Sequence, residues 1–315
     1  MKKSVLVQLA AFGGLSILLL VLCISGVFST NVMRYLVQIF LYITIGEMWN
    51  LLSGYAGMTS LGQQTFIGLA GYSVAMATTV YKIPYPVGIL IGVIISSIAA
   101  GILAFFLLRL HGMYFSITTW VIAEALGTFF LSWGYVGKGA GMTVSISPYP
   151  RVNVLCVLAL ILCIISLIIV FMLLKSKTGL GLTAMRDNIS AAASLGVDIG
   201  KSRFIVYLIA AVLTAVAGSI FFINKGTIYP ESGFSISWTI SMVFICIIGG
   251  TGTMEGPIVG AIIYVLLQEI LAHYPGWSNI FLGIIAILII LYMPDGIVGT
   301  IRKKVASRRL KTLNE

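Results

Sequence analysis

Three glutamates interrupt long apolar runs, and they are the residues in this sequence with the clearest capacity for chemistry. They are Glu47, Glu124 and Glu269. A carboxylate at membrane depth is costly and is by default a functional candidate, as in a proton relay. Glu269 is near the end of its run, where it reaches water, whereas the other two lie deeper. No second carboxylate, histidine or arginine stands near either one in sequence, which favours a hydrogen-bonded structural role over proton-linked transport and leaves both open.

A second candidate is the segment GVDIGKS at 196–202, which resembles a phosphate-binding loop. It is one residue too short for G-x-x-x-x-G-K-[ST], and neither the preceding strand nor the surrounding α/β pattern is present. The sequence also has no H-E-x-x-H motif, no paired aspartates and no serine–histidine arrangement, so an enzyme is not expected. If the protein uses ATP, another subunit must hydrolyse it.

The cysteines all lie inside apolar runs and form no C-x-x-C pair, which predicts buried small hydrophobic residues rather than disulfides or metal ligands. No metal site is expected. The positions are Cys23, Cys156, Cys163 and Cys246.

Composition then fixes the class of protein. The 315 residues are 59% hydrophobic and 9% charged, with a mean hydropathy of +1.10. A soluble domain carries about 25% charged residues, so the chain is an integral membrane protein. In such a protein the net charge of +10 concerns orientation in the bilayer and does not predict a nucleic-acid partner.

The hydrophobic runs predict an all-α fold, a polytopic transmembrane helical bundle of about ten spans of roughly 20 residues each. The first run is too long for a secretory signal core and has no nearby cleavage site, so it is counted as a span. Residues 1–301 form a single transmembrane domain, and the basic tail 302–315 faces lipid headgroups. The predicted spans are 5–27, 34–53, 62–80, 85–108, 113–133, 152–174, 204–224, 234–249, 256–272 and 277–293.

Orientation follows from the distribution of the cations. With a cytoplasmic N-terminus, 14 lysines and arginines fall on the cytoplasmic side and 5 on the outside. Such a bias obeys the positive-inside rule. It predicts that both termini and the polar loop 175–203 are cytoplasmic.

The segment 50–72, NLLSGYAGMTSLGQQTFIGLAGY, is rich in glycine at membrane depth. Non-helical backbone at such depth is tolerated only inside protein or beside a water-filled cavity, and broken helices often border a transport path. The alternative is that the glycines only allow close helix packing. The glycines singled out here are Gly54, Gly57 and Gly62, and the polar candidates for a translocation path are Asn50, Ser60 and Gln64.

A second glycine cluster is GGTGTMEGPIVGA at 249–261. Gly252, Gly256 and Gly260 repeat every four residues, which predicts one helix face that a second helix contacts closely. Pro257 suits the first turn of that helix.

The polar loop 175–203 contains a short predicted helix at 189–195. Asp187 or Asn188 is its N-cap, and Gly196 suits the left-handed residue that ends it. Its small residues, including Ala191 and Ala192, make a smooth surface that suits a partner protein. The alternative is a plain connector between helices.

Three motifs in chain order resemble, at family-like spacing, the permeases of branched-chain amino-acid ABC importers: NLLSGYAGMTSLGQQTFIGLAGY at 50–72, GLGLTAMRDNISAAASLGVDIGKSRF at 179–204 and IGGTGTMEGPIVGA at 248–261. The pattern N-L-L-x-G-Y-x-G-x-x-S-L-G resembles their LivM type. The likeness runs from about residue 45 to residue 295. One departure is Gln63, where family members often have histidine, and it bears on substrate assignment.

The resemblance implies a permease domain at 1–301 in a bacterial or archaeal cytoplasmic membrane. It implies a LivH-type second permease, an extracytoplasmic substrate-binding protein, and two cytoplasmic ATPases that bind ATP and Mg; no cofactor is expected in this chain. The loop 175–203 would carry the coupling helix, and Arg186 would pair with an acid on the ATPase. The implied ATPase-coupling interface is Arg186, Asp187, Asn188, Ala191, Ala192 and Gly196.

Other functions remain open. The related superfamily includes urea, sugar and nucleoside importers, and the substrate-binding protein largely sets specificity. An ion-coupled secondary transporter would make Glu47 or Glu124 essential and would need no ATPase.

Overall fold

The computed structural model describes residue 14 and residues 18–25, 28–146, 149–271 and 278–304, and most of these are helical. Residues 18–25 and 296–304 are helical in addition to the elements numbered here. The numbered helices are α1 Thr30–Asn50, α2 Gln64–Thr79, α3 Tyr85–Leu107, α4 Met113–Ser132, α5 Val152–Lys175, α6 Lys177–Asp187, α7 Ile189–Ser194, α8 Ile199–Lys225, α9 Pro230–Gly233, α10 Ser237–Gly249, α11 Gly256–Leu271 and α12 Ser278–Tyr292.

Seven helical stretches within the described residues are long and apolar enough to cross a membrane. The prediction of a polytopic helical bundle is therefore confirmed. Helices α2 and α11 have 16 residues each, slightly fewer than a typical span. The predicted span 5–27 lies largely outside the described residues, so the total of about ten spans and the side of each terminus stay predictions. The seven stretches are Thr30–Tyr55, Tyr85–Leu107, Met113–Ser132, Val152–Lys175, Ile199–Lys225, Pro230–Gly249 and Ile280–Lys304.

The centre of the bundle is formed by α1, α2 and α8. Among the 18 most apolar residues of the stretch Thr30–Tyr55, which contains α1, 78% are buried, and the corresponding fraction for α8 is 61%. The fraction falls to 22% for α3 and to 6% for residues 280–304. Helix α1 packs against α5, α8 and α11, and α2 packs between α3 and α8. Helices α3, α4 and α12 therefore form much of the surface that faces the membrane.

Helix α1 begins at a serine cap and carries polar residues into the core. The Ser29 hydroxyl accepts from the Val32 amide at 3.5 Å. Thr44, Glu47 and Asn50 are each 0% exposed, because the surrounding helices cover them. The helix ends in a wide π-type turn at Leu51–Tyr55, a feature that recurs at functional sites.

The chain leaves helical geometry at residues 56–63 before α2 begins. Gly57 has φ +66, a left-handed conformation that favours glycine. The glycines further along α2 do pack closely, since a Cβ at Gly71 would meet the Phe222 ring. The two interpretations of segment 50–72, a broken helix and close packing, thus both apply, each to a different part of it.

Two short antiparallel strands lie at one end of the bundle, one in the connection between α4 and α5 and the other in the connection between α8 and α9. Strand β1 (Met142–Thr143) pairs with β2 (Thr227–Ile228). Strand β2 directly follows α8, whose 27 residues span about 40 Å. The β1–β2 pair and the α6–α7 segment therefore lie at opposite ends of the molecule.

Candidate functional site

Helices α6 and α7 form a compact, doubly capped unit at one end of the bundle. The Ser176 hydroxyl accepts from the Gly179 amide at 3.3 Å and starts α6. The Asn188 side-chain oxygen accepts from the Ala191 amide at 3.0 Å and starts α7. Gly196 follows the helix with φ +82. The predicted short helix is therefore confirmed, with Asn188 as its cap, while α6 is an additional helix that the sequence interpretation missed.

Arg186, near the end of α6, connects this unit to the end of α1. Its Nη1 donates to the backbone carbonyl of Gly54 at 3.0 Å, and its Nε donates to Asp187 Oδ1 at 3.1 Å. The backbones are also close, because a Cβ at Gly57 would lie 3.2 Å from the Cα of Arg186. The guanidinium thus donates to two acceptors inside the chain, and its pairing with an acid on an ATPase stays a prediction.

Asn50 connects the end of α1 to the loop before α11. Its amide nitrogen donates to the carbonyl of Thr253 at 2.9 Å, and its amide oxygen accepts from the Gly252 N–H at 2.7 Å. Asn50 is 0% exposed. One buried side chain therefore satisfies two backbone groups of a loop that would otherwise lack partners.

Glycine is required where these two loops touch. A Cβ at Gly54 would overlap Asn50 Oδ1 and lie 2.7 Å from the Gly252 nitrogen. Gly252 has φ +74 and its own Cβ would lie 3.3 Å from Arg186 Nη1. Three segments far apart in sequence, 50–57, 186 and 252–253, therefore meet at one point, which we call the junction.

We expect Asn50→Leu to destabilise the protein by about 2 kcal/mol, because it leaves the Gly252 N–H and the Thr253 carbonyl without partners. The measurement is the thermal midpoint of the detergent-solubilised protein. Asn153→Leu is the matched control, since its half-buried amide has no hydrogen-bond partner within the part of the chain described. Equal midpoints for the two variants would contradict this account of Asn50.

Ser60 and Gln64 lie on the far side of the broken segment and are 1% exposed. The Ser60 carbonyl accepts from Trp49 Nε1 at 2.9 Å. Gln64 donates to the Leu61 carbonyl at 3.1 Å and accepts from the Thr239 hydroxyl at 2.5 Å. Both residues, like Asn50, are buried in the conformation observed, and their place on a translocation path stays a prediction.

Gly62 allows the broken segment to lie against α4. A Cβ there would overlap the backbone carbonyl of Thr119, and the Thr119 hydroxyl accepts from the Leu61 amide at 3.1 Å. The glycine at this position is a packing requirement.

The glycine repeat 252–256–260 does not form one helix face, which corrects the sequence interpretation. Helix α11 begins at Gly256, and Gly252 lies in the preceding turn, because positive φ at Gly250 and Gly252 directs the chain out of helical geometry. A Cβ at Gly256 would overlap the Gly250 carbonyl, whereas one at Gly260 would overlap the Ile245 carbonyl of α10. Gly256 and Gly260 therefore both lie at the contact between α10 and α11, since a Cβ at Gly249 of α10 would also overlap the Gly256 carbonyl, and Gly252 alone of the three lies off that face.

Ala192 also differs from expectation as a contact residue. It is 1% exposed, because α7 turns this side chain toward the rest of the chain. Ala191 and Ala193 are exposed, and Leu195 is 80% exposed. A partner that lies on α7 would contact these three residues, while Ala192 holds the helix in place.

The three membrane glutamates have different surroundings. Glu47 is fully buried, and neither carboxylate oxygen has a hydrogen bond of ordinary geometry among the described residues. Glu124 is exposed on α4. Glu269 accepts a hydrogen bond from the Tyr35 hydroxyl. The described geometry brings no two of them into contact.

The comparisons with known proteins agree with one another. A family model described as "Branched-chain amino acid transport system / permease component" matches residues 31–293. The chain is 24% identical to the high-affinity branched-chain amino acid transport system permease protein LivM of Salmonella typhimurium, and likewise to that of Escherichia coli, over 83% of this chain and 68% of each relative. It is 28% identical to the autoinducer 2 import system permease protein LsrC of an Enterobacter species, over 39% of this chain and 37% of that relative. No solved structure matches the chain.

Proposed function

The chain belongs to the branched-chain amino acid transport system permease component family, and on this premise we propose that it is one of two permease subunits in an ATP-driven ABC importer. It is a multi-pass protein of the cytoplasmic membrane. The second permease is of the LivH type, two ATPase subunits bind ATP and Mg on the cytoplasmic side, and a binding protein delivers substrate from outside. The substrate class is branched-chain amino acids.

The observation that carries this proposal is the contact between α6–α7 and the junction. A short helix that received force from an ATPase would need a firm connection to the membrane helices. Arg186 contacts the Gly54 carbonyl, and Asn50 extends the connection to Gly252. A displacement of α6–α7 would thus reach the end of α1 and the start of α11 together.

The test is a pull-down from gently solubilised membranes. The intact protein is compared with a variant in which residues 187–196 are replaced by a Gly/Ser linker. We expect an ATPase with nucleotide-binding motifs to co-purify with the intact form only. An intact protein that purifies without any ATPase and still moves solute in liposomes would overturn the proposal in favour of an ion-coupled transporter.

We expect Ala191→Glu to lower substrate uptake and substrate-stimulated ATP hydrolysis by about tenfold, because a charge on the exposed face of α7 obstructs an apolar docking surface. Uptake and hydrolysis are measured in the same proteoliposomes. Ala140→Glu is the matched control, an exposed alanine at the β1–β2 end of the bundle. Wild-type values for Ala191→Glu in both assays would contradict the docking of α7.

A second substrate class has one observation in its favour. The LsrC relatives are named for autoinducer 2 import and not for amino acids, which favours keeping the sugar importer of the sequence interpretation as the alternative. Uptake assays with labelled leucine and labelled ribose, in the complex that co-purifies with this chain, separate the two. Saturable leucine uptake supports the first proposal, and ribose uptake without leucine uptake supports the alternative.

A further inference from the structure

A cavity of about 670 Å³ opens between α8, α10, α11 and α12, with Tyr42 of α1 in its lining. This volume lies within the range of about 300–1,000 Å³ that is usual for small-molecule sites. The cavity lies near the end of α8 that carries the β1–β2 pair. On the predicted orientation it faces outside, away from α6–α7.

Two opposite charges line this cavity. Lys225 ends α8, and Glu231 belongs to α9. Neither side chain has a hydrogen bond or a salt bridge within the described residues, although both are exposed to the cavity. An unpaired ammonium and an unpaired carboxylate on one cavity suit a ligand that carries both charges itself.

The start of α10 adds a second feature for an anion. Ser237 is the first residue of this 13-residue helix and Ser235 lies just before it, and both line the cavity. The positive end of the helix dipole favours a negative group at such a position. It lies on the same cavity as Lys225, so both features attract the same ligand group.

The remaining wall is aromatic and apolar. Phe221 and Trp238 lie with ring centroids 4.7 Å apart, and Tyr42 and Tyr264 lie 5.1 Å apart. Val243, Phe244 and Ile247 continue the lining. A wall of this kind binds an aliphatic side chain by burial of apolar surface.

We propose that this cavity is the substrate chamber and that it takes a zwitterionic α-amino acid with an apolar side chain. Glu231 faces the ammonium group, Lys225 and the start of α10 face the carboxylate, and the aromatic wall holds the side chain. This inference rests on the proposed function and extends it to named residues. Because the cavity borders α12, which is largely exposed, an additional subunit beside α12 would close the chamber.

The test uses the complex that co-purifies with this chain, in nanodiscs, with leucine as ligand. Ser237→Cys introduces a thiol on the cavity wall, and a charged methanethiosulfonate reagent measures its reactivity. The native cysteines are buried, so their background labelling is low. We expect leucine to slow labelling of Ser237→Cys at least about tenfold, whereas Tyr135→Cys, which replaces an 80% exposed side chain outside the cavity, labels equally with and without leucine.

Charge variants supply an independent measurement. Glu231→Gln and Lys225→Met should each raise the KM for leucine uptake about tenfold, the effect of losing one charged contact. Lys138→Met, an exposed lysine in the loop at the same end, is the control and should leave the KM unchanged. The chamber alone is overturned if the complex takes up leucine, leucine does not slow the labelling of Ser237→Cys, and both charge variants keep the wild-type KM. Absence of leucine uptake by the unmodified complex overturns the proposed function, and the chamber with it.

Discussion

Arg186→Gln is expected to lower the number of substrate molecules moved per ATP hydrolysed by at least about tenfold. Arg186 Nη1 donates to the Gly54 carbonyl at 3.0 Å and is the side-chain link between α6 and the end of α1. A hydrogen bond from a charged donor is worth about 1.5–3 kcal/mol, and the lower end applies because the side chain is 41% exposed. Glutamine is too short to reach the carbonyl from the same backbone position. The measurement is the ratio of leucine uptake to ATP hydrolysis in proteoliposomes.

The controls for Arg186 separate transmission from folding. Lys177→Gln removes a cation from the same segment at an exposed position and should leave the ratio unchanged. Arg186→Lys keeps the charge but loses the two-donor geometry, so an intermediate ratio is expected. If Arg186→Gln lowers uptake and hydrolysis in parallel, the residue acts only on assembly or stability, and its role in transmission is contradicted.

Gly260→Val is expected to prevent stable packing of α10 against α11. A Cβ at Gly260 would overlap the backbone carbonyl of Ile245, and a backbone carbonyl in a helix cannot rotate away as a side chain does. Overpacking of this kind costs about 3 kcal/mol or more, because the two helices must separate along their contact. The expected result is a large loss of monodisperse protein in size-exclusion chromatography after detergent extraction.

Gly101→Val is the matched control for this substitution. Gly101 lies in α3, and a Cβ there has no heavy atom within 4 Å. The variant should extract and elute as the wild type does. Equal behaviour of the two valine variants would show that the α10–α11 contact is not as close as the structure has it.

Local rules were enough to predict α7. An asparagine cap, alanines and a following glycine specify a short helix through contacts within ten residues, and Asn188 and Gly196 occupy the predicted positions. The same holds for most membrane helices, because a long apolar run has few alternatives in a bilayer. These features depend on neighbours in sequence, which a single sequence displays directly.

Local sequence patterns do not predict the contacts at the junction. Arg186 and Gly54 are 132 positions apart, and Asn50 and Gly252 are 202 apart, so no local pattern joins them. The repeat at 252, 256 and 260 suggested one helix face because spacing alone does not reveal that Gly252 has positive φ. The three consecutive alanines of α7 are equivalent by composition, and only the packed structure shows that Ala192 is the buried one.

Helix α1 has a consequence for how the protein is made. Over its most apolar 18 residues the stretch Thr30–Tyr55, which contains α1, has a mean hydropathy of 1.3, against 3.5 for α5, and it is nevertheless the most buried of the seven candidate spans. It leaves the ribosome before α5, α8 and α11, the helices that cover its polar residues, have been synthesised. During that interval Glu47 and Asn50 would be uncovered, and Asn50 would lack its partners Gly252 and Thr253. We therefore expect α1 to remain beside the insertion machinery until the later helices arrive, so that the order of synthesis and the order of release into the bilayer differ.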